Sequence, residues 1–159
     1  NKLLDGGMNI LYPLLDAEET QVAASGLLGQ FYGYKAAYLN MDGDHEASIL
    51  WFEKQADLYI QYKQENLSIA AFQNALFVAS KHQKSKVSEL AEKAFPVGYA
   101  QADELLLGSG FPIIAYHYLK FCKEEEKNDI ESRMQHLYGE DWKASAKNNF
   151  AIAPEEYVS

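Results

Sequence analysis

The chain has 159 residues, 48% of them apolar, and its 23 acidic and 14 basic side chains leave a net charge of −9. This length supports one ordinary domain that buries roughly 70% of its unfolded surface, and the apolar content excludes disorder as the overall state. The acidic balance argues against nucleic acid and against an anionic membrane surface, both of which call for a basic footprint.

In chain order, Gly6 and Gly7 punctuate a short start, after which Met8, Ile10, Leu11, Leu14 and Leu15 fall at helical spacing around Pro13. A helix is predicted after Glu18-Glu19-Thr20, with an apolar face through Ala24, Leu28, Phe31, Tyr32, Lys35 and Leu39. Asn40 to Asp44 is a turn cluster, and Asp44 is the expected cap of the next helix, which runs through Ser48, Trp51, Phe52, Ala56 and Tyr59. Ser68 is the expected cap of a helix lined by Ala71, Ala75, Leu76 and Ala79. A further helix carries Val87, Leu90, Ala91 and Ala94, and Pro96 and Gly98 are expected to end it. Ala102 and Leu105 to Leu107 predict a short helix stopped at Gly108-Ser109-Gly110. Phe111-Pro112 opens a longer segment with Ile114, Tyr118, Phe121 and Cys122 on its apolar face. The charged run Lys123 to Asp129 is a solvated face or a break, Ile130, Met134 and Leu137 resume the helical period, and Gly139 is a stop. No stretch alternates with period two. The prediction is an all-α chain of seven or eight helices, with C-terminal helices over about 111–147 and a tail over 148–159.

Two phrases repeat in this chain. Glu53-Lys54 and Glu92-Lys93 stand 39 residues apart, and Ala24 with Leu28 is matched 78 residues later by Ala102 with Leu106. A fixed offset of this size marks stacked helical units, each unable to bury its own apolar face alone.

The residues that carry these phrases resemble the Sel1-like repeats, short helix-turn-helix units related to tetratricopeptide repeats. Glu92-Lys93-Ala94, Gly98 to Ala102 and Leu106 are similar to the consensus; Asp44, Ser48, Trp51, Phe52, Glu53, Lys54 and Ala56 resemble a second helix, and Ala24, Leu28, Gly29 and Tyr32 a first helix. The resemblance covers about residues 20–110. It implies a right-handed α-solenoid of about three degenerate repeats, antiparallel helix pairs stacked on one another. Small residues at Ala24, Ser48, Ala71 and Ala102 would let helices approach closely. Gly98 would supply a positive φ at a helix end, and Trp51 and Tyr32 would fill the seams. It further implies a protein-binding role, adaptor, regulatory or inhibitory, mostly in bacteria.

Chemistry finds little support. His45, His82, His117 and His136 are not three or four residues from one another, so no helical metal pair forms. His117 reads as a surface or core-edge residue and the lone Cys122 as a packed core thiol. Asp42-Gly43-Asp44 is similar to the start of a calcium loop, with Phe52 and Glu53 at its eleventh and twelfth positions, but the stretch between is helical in pattern, so it reads as a turn plus a cap. Gly108-Ser109-Gly110 is not followed by the Lys of a phosphate loop, Asn66-Leu67-Ser68 is a frequent sequon, and no G-x-S-x-G elbow occurs. No cofactor, metal or catalytic residue is expected.

What remains is surface. In solenoids of this kind the first helix of each pair tends to line the concave side. There the face away from the core carries Gln30, Gly33, Tyr34 and Ala37, then Gln73 and Phe77, then Asp103. Tyr34 and Phe77 are the expected anchors, with burial between units as the competing reading. Asp42, Asp44, Glu46 and Asp103 are the expected rim charges.

The resulting expectation is a non-enzymatic, acidic module that binds a protein with a basic surface. An inhibitor of one partner, such as an immunity protein against a secreted toxin, comes first. An envelope scaffold or adaptor comes second and a small helical enzyme or ligand carrier third. No membrane span is expected, because no stretch reaches about 18 continuous apolar residues. The chain does not open on Met, so a mature or trimmed form is expected; the bacterial periplasm is slightly favoured over the cytoplasm.

Overall fold

The computed structural model describes residues 2–102 and 110–148. These form eight α-helices and no strand: α1 (Lys2–Leu11), α2 (Glu18–Met41), α3 (His45–Gln61), α4 (Glu65–His82), α5 (Val87–Gln101), α6 (Gly110–Tyr118), α7 (Glu124–Tyr138) and α8 (Trp142–Asn148). Short 3-10 turns over Tyr12–Leu15 and Lys84–Lys86 link α1 to α2 and α4 to α5. The short helix predicted through Leu105 to Leu107 falls outside the described residues, as does the tail from 149.

The two turns that fold α2, α3 and α4 back on one another share one design. After α2, Gly43 takes φ +85°, and the Asp44 and Gly43 amides donate to the carbonyls of Leu39 (2.9 Å) and Asn40 (3.2 Å). After α3, Lys63 takes φ +56°, and the Gln64 and Lys63 amides donate to Tyr59 (2.7 Å) and Ile60 (3.1 Å). This is the Schellman arrangement, which satisfies the last carbonyls of a helix through one left-handed residue. Asp44 then caps α3 by accepting the Ala47 amide at 3.2 Å, as its position in the sequence implies. Gln64 reaches back instead: its Nε2 donates to Ser25 Oγ (2.8 Å) and to the Val22 carbonyl (3.1 Å), tying this turn to α2.

Consecutive helices pack on each other from α1 to α6, and α6 is also held by α4 and α8. Ala24, Ser48, Ala71 and Ala102 are all buried, so the small residues do stand where helices meet. The main core runs from Ala36 and α3 through α6 to Trp142 and Ala146. A smaller one joins Met8, Leu11, Leu28 and Leu58. Trp51 packs against both. It meets Tyr32 edge-on at 5.1 Å and carries the ammonium groups of Lys35 (4.3 Å) and Lys54 (4.4 Å) over its ring.

Several local expectations are corrected. Ser68 does not cap α4; the helix starts at Glu65, and Ser68 is buried inside it with its hydroxyl donating to the Glu65 carbonyl at 2.6 Å. Pro96 and Gly98 do not end α5, which continues through both to Gln101. Gly98 has no positive φ; it is glycine because a Cβ there would overlap the ring of the fully buried Phe111. Gly6 and Gly7 lie inside α1, where Gly7 makes room for Phe31, whose Cε1 would stand 2.6 Å from an added Cβ. The segment opened by Phe111 stops at Tyr118, so Cys122 lies in a turn, half-buried, where burial pushes its thiol pKa up. His117 is fully buried, because α6 is enclosed on every side from Phe111 to His117. The run Lys123 to Asp129 is a solvated face that begins at the break after α6, exposed except for the half-buried Lys127, and its acids Glu124 to Glu126 also form the first turn of α7, where they complement the helix dipole.

Candidate partner-binding face

α2 is long and two-sided. Ala24, Ser25, Leu28, Gly29 and Ala36 are buried against neighbouring helices. Gly29 lets the ring of Tyr59 lie on the α2 backbone, since a Cβ there would overlap it. Over the rest of its circumference α2 exposes Leu27 (45%), Tyr34 (58%), Tyr38 (50%) and Met41 (80%). These residues follow at intervals of seven, four and three, so they form one stripe along the helix. Tyr34 alone belongs to the expected set; Leu27, Tyr38 and Met41 were missed, although the i, i+4, i+7 spacing around Tyr34 already carried the signal.

Beside the stripe lies an open groove of about 400 Å³, lined by Gln30, Gly33, Tyr34 and Ala37 of α2, Phe52 and Gln55 of α3, and Asn74 of α4. All four α2 residues expected to face away from the core therefore share one concavity. Gln55 sits against Gly33, its Nε2 2.8 Å from where a Cβ would stand. Among the described residues its buried Oε1 has no hydrogen-bond partner. Phe52 adds apolar surface to the groove lining.

The other expected residues are distributed unevenly. Phe77 stands one turn beyond Asn74, 36% exposed, with the Lys81 ammonium 4.0 Å over its ring. Gln73 does not line the groove; it is half-buried, its Oε1 2.8 Å from the Cβ position of Gly110 at the start of α6. Asp42, Asp44 and Glu46 gather, exposed, at the α2–α3 turn just past Met41, with Asp44 engaged in capping. Glu46 also acts at a distance on Lys86, whose pKa is raised chiefly by its hydrogen bond to Glu89. Asp103 lies outside the described residues.

The histidines, separate in the sequence, are partly joined by the fold. His45 at the start of α3 and His82 at the end of α4 stack with ring centroids 3.5 Å apart and 11° between planes. Asn40 Oδ1 is 2.9 Å from His45 Nδ1. Burial, then His45, then Lys81 hold the His82 pKa below its ordinary value. Among the described residues no group of three or more His, Cys, Asp or Glu is placed to hold a metal ion. No helix among them is long and apolar enough to cross a membrane.

No family model, curated protein or solved structure matches the chain.

Proposed function

We propose that this chain is a protein-binding module without catalytic activity, built as a degenerate right-handed solenoid of Sel1-like helix pairs, which grips a partner of basic character with α2. The observation that carries this is the exposed stripe of Leu27, Tyr34, Tyr38 and Met41 beside a groove, ending at the acids of the α2–α3 turn. A continuous apolar stripe on a water-facing helix marks an interaction surface, and rigid aromatic anchors ringed by charge are what such surfaces use. The solenoid reading is supported by the helix-by-helix packing order and by the burial of small residues where helices meet.

Within this class the chain is a dedicated inhibitor of one protein, of the immunity type, in a bacterium. Its net charge of −9 suits a basic target. The test is surface plasmon resonance against the product of the neighbouring reading frame, with the partner's own activity followed in parallel. Binding that titrates that activity away supports an inhibitor; binding that leaves it intact assigns an adaptor or scaffold instead. If the chain binds no protein and is stabilised by a small molecule, the binding-module reading falls.

A further inference from the structure

A second site lies at the junction of α5, α6 and α7. Phe95 stacks on Tyr118 (4.1 Å, 6°) and on Tyr99 (4.8 Å, 26°). The Arg133 guanidinium lies 4.2 Å over the Tyr99 ring. One end of this aromatic ladder therefore already carries a cation. No cation lies over Tyr118, at the other end, among the described residues. What it meets instead is a carboxylate: its hydroxyl donates to Glu126 Oε2 at 3.4 Å. Beside the ladder is a cavity of about 330 Å³ lined by Phe95, Pro96, Tyr99, Tyr118, Glu126, Asp129 and Ile130.

Among the described residues the lining combines aromatic rings, two aliphatic surfaces and two carboxylates, with no basic side chain. Lys127, between the two acids in sequence, is turned to Glu124 at 2.5 Å. Neither Glu126 nor Asp129 has an ion-pair partner among the described residues. Aromatic rings attract a cation through their quadrupole, more so as the site is desolvated, and a planar guanidinium can stack on a ring while its edge meets a carboxylate. The volume stands near the lower end of ligand sites, which suits one side chain.

We propose that this cavity is a receptor for an arginine side chain presented by a partner polypeptide, its guanidinium taken between the aromatic ladder and the carboxylates of Glu126 and Asp129. The charge complementarity and the Arg133–Tyr99 precedent select this occupant over an apolar or anionic one. The site stands on different helices from the α2 stripe and does not depend on that stripe's role.

The probes are the blocked tripeptides Ala-Arg-Ala and Ala-citrulline-Ala, and tetramethylammonium, titrated into the whole chain. Aromatic-ring NMR shifts of Tyr99 and Tyr118 and the methyl shifts of Ile130 are followed. The arginine peptide is expected to shift all three residues saturably. The neutral citrulline isostere should bind about tenfold more weakly, a difference of the size of one desolvated cation–π contact. Asp129→Asn combined with Glu126→Gln, both exposed positions, should weaken the arginine peptide by a similar factor. Equal binding of the citrulline peptide, no shift from the arginine peptide, or insensitivity to the double substitution each overturns the proposal. Binding of tetramethylammonium as tightly as the arginine peptide would assign the cavity to a small free cation and likewise overturn it.

Discussion

The ammonium of Lys93 in α5 stands 3.5 Å from Glu53 Oε1 and 3.0 Å from Asp57 Oδ1 in α3. The two Glu-Lys phrases that lie 39 residues apart in the sequence thus supply the two halves of one cross-helix contact. Burial works against the charge on Lys93, but Asp57 and then Glu53 outweigh it, and the net pKa is raised. Lys93 and Asp57 are exposed, so solvent screening limits the pair. Lys93→Ala is expected to cost about 1 kcal/mol at most, and a double-mutant cycle with Asp57→Ala should return a coupling below that. Urea unfolding measures both; a coupling of several kcal/mol would mean that the network is far better shielded than its exposure implies.

Glycine substitutions separate close packing from helix propensity. Gly98→Ala drives a Cβ into Phe111, with Ile69 Cδ1 3.1 Å away on the other side, and neither neighbour has room to retreat. Overpacking of this kind costs about 1–3 kcal/mol or more. Gly6→Ala meets nothing within 4 Å in α1 and should stabilise by about 0.5–1 kcal/mol. Thermal melts of the two variants should therefore move in opposite directions.

Lys63 holds the left-handed position that Gly43 holds in the preceding turn. A non-glycine residue there costs about 1–2 kcal/mol, partly offset by the greater entropy glycine loses on folding. Lys63→Gly should raise stability by up to about 1 kcal/mol, while Gly43→Lys should lower it. An equal response in the two turns would show that their backbones are not equivalent.

Trp51 joins the two cores but is only half-buried. Trp51→Ala should cost about 2–3 kcal/mol, below the 3–5 of a fully buried large aromatic. Its coupling to Tyr32 in a double-mutant cycle should be about 0.5–1.5 kcal/mol, as for edge-to-face pairs.

His82, stacked on His45, makes stability depend on pH. The folded pKa of His82 is depressed, so the unfolded chain takes up the proton more readily. Stability contributed by the neutral ring is complete above about pH 6.5 and is lost as pH falls through the lower folded value. An NMR titration should place His82 below the ordinary range, and His45→Gln should move it back up. A His82 pKa that ignores this substitution would show that burial and Lys81 alone set it.

On the α2 face, Tyr34→Ala or Tyr38→Ala should speed dissociation of the protein partner by about 30-fold, the size of a 2 kcal/mol anchor. Asp42→Asn with Glu46→Gln should instead slow association and flatten its salt dependence. If both tyrosine variants fold normally and dissociate at the parent rate, α2 is not the binding face.

The sequence by itself determined the helical class, the extent of α2, the Asp44 cap and the stop at Gly139, because periodicity and capping are local and depend on neighbours within a few residues. It also carried the shared helix face of Gln30, Gly33, Tyr34 and Ala37, which line one groove, since residues three and four apart lie on one side of a helix. Tertiary structure decided the rest. Pro96 and Gly98 look like stops, yet α5 runs on because burying Phe95 and seating Phe111 on Gly98 outweighs the local penalty. Ser68 looks like a cap, yet Gln64 starts the helix a turn earlier, held by Ser25 and Val22 of a distant helix. The His45–His82 stack and the Phe95 ladder join residues from different helices. No local pattern encodes such meetings; only the packing of one helix on another brings those side chains together.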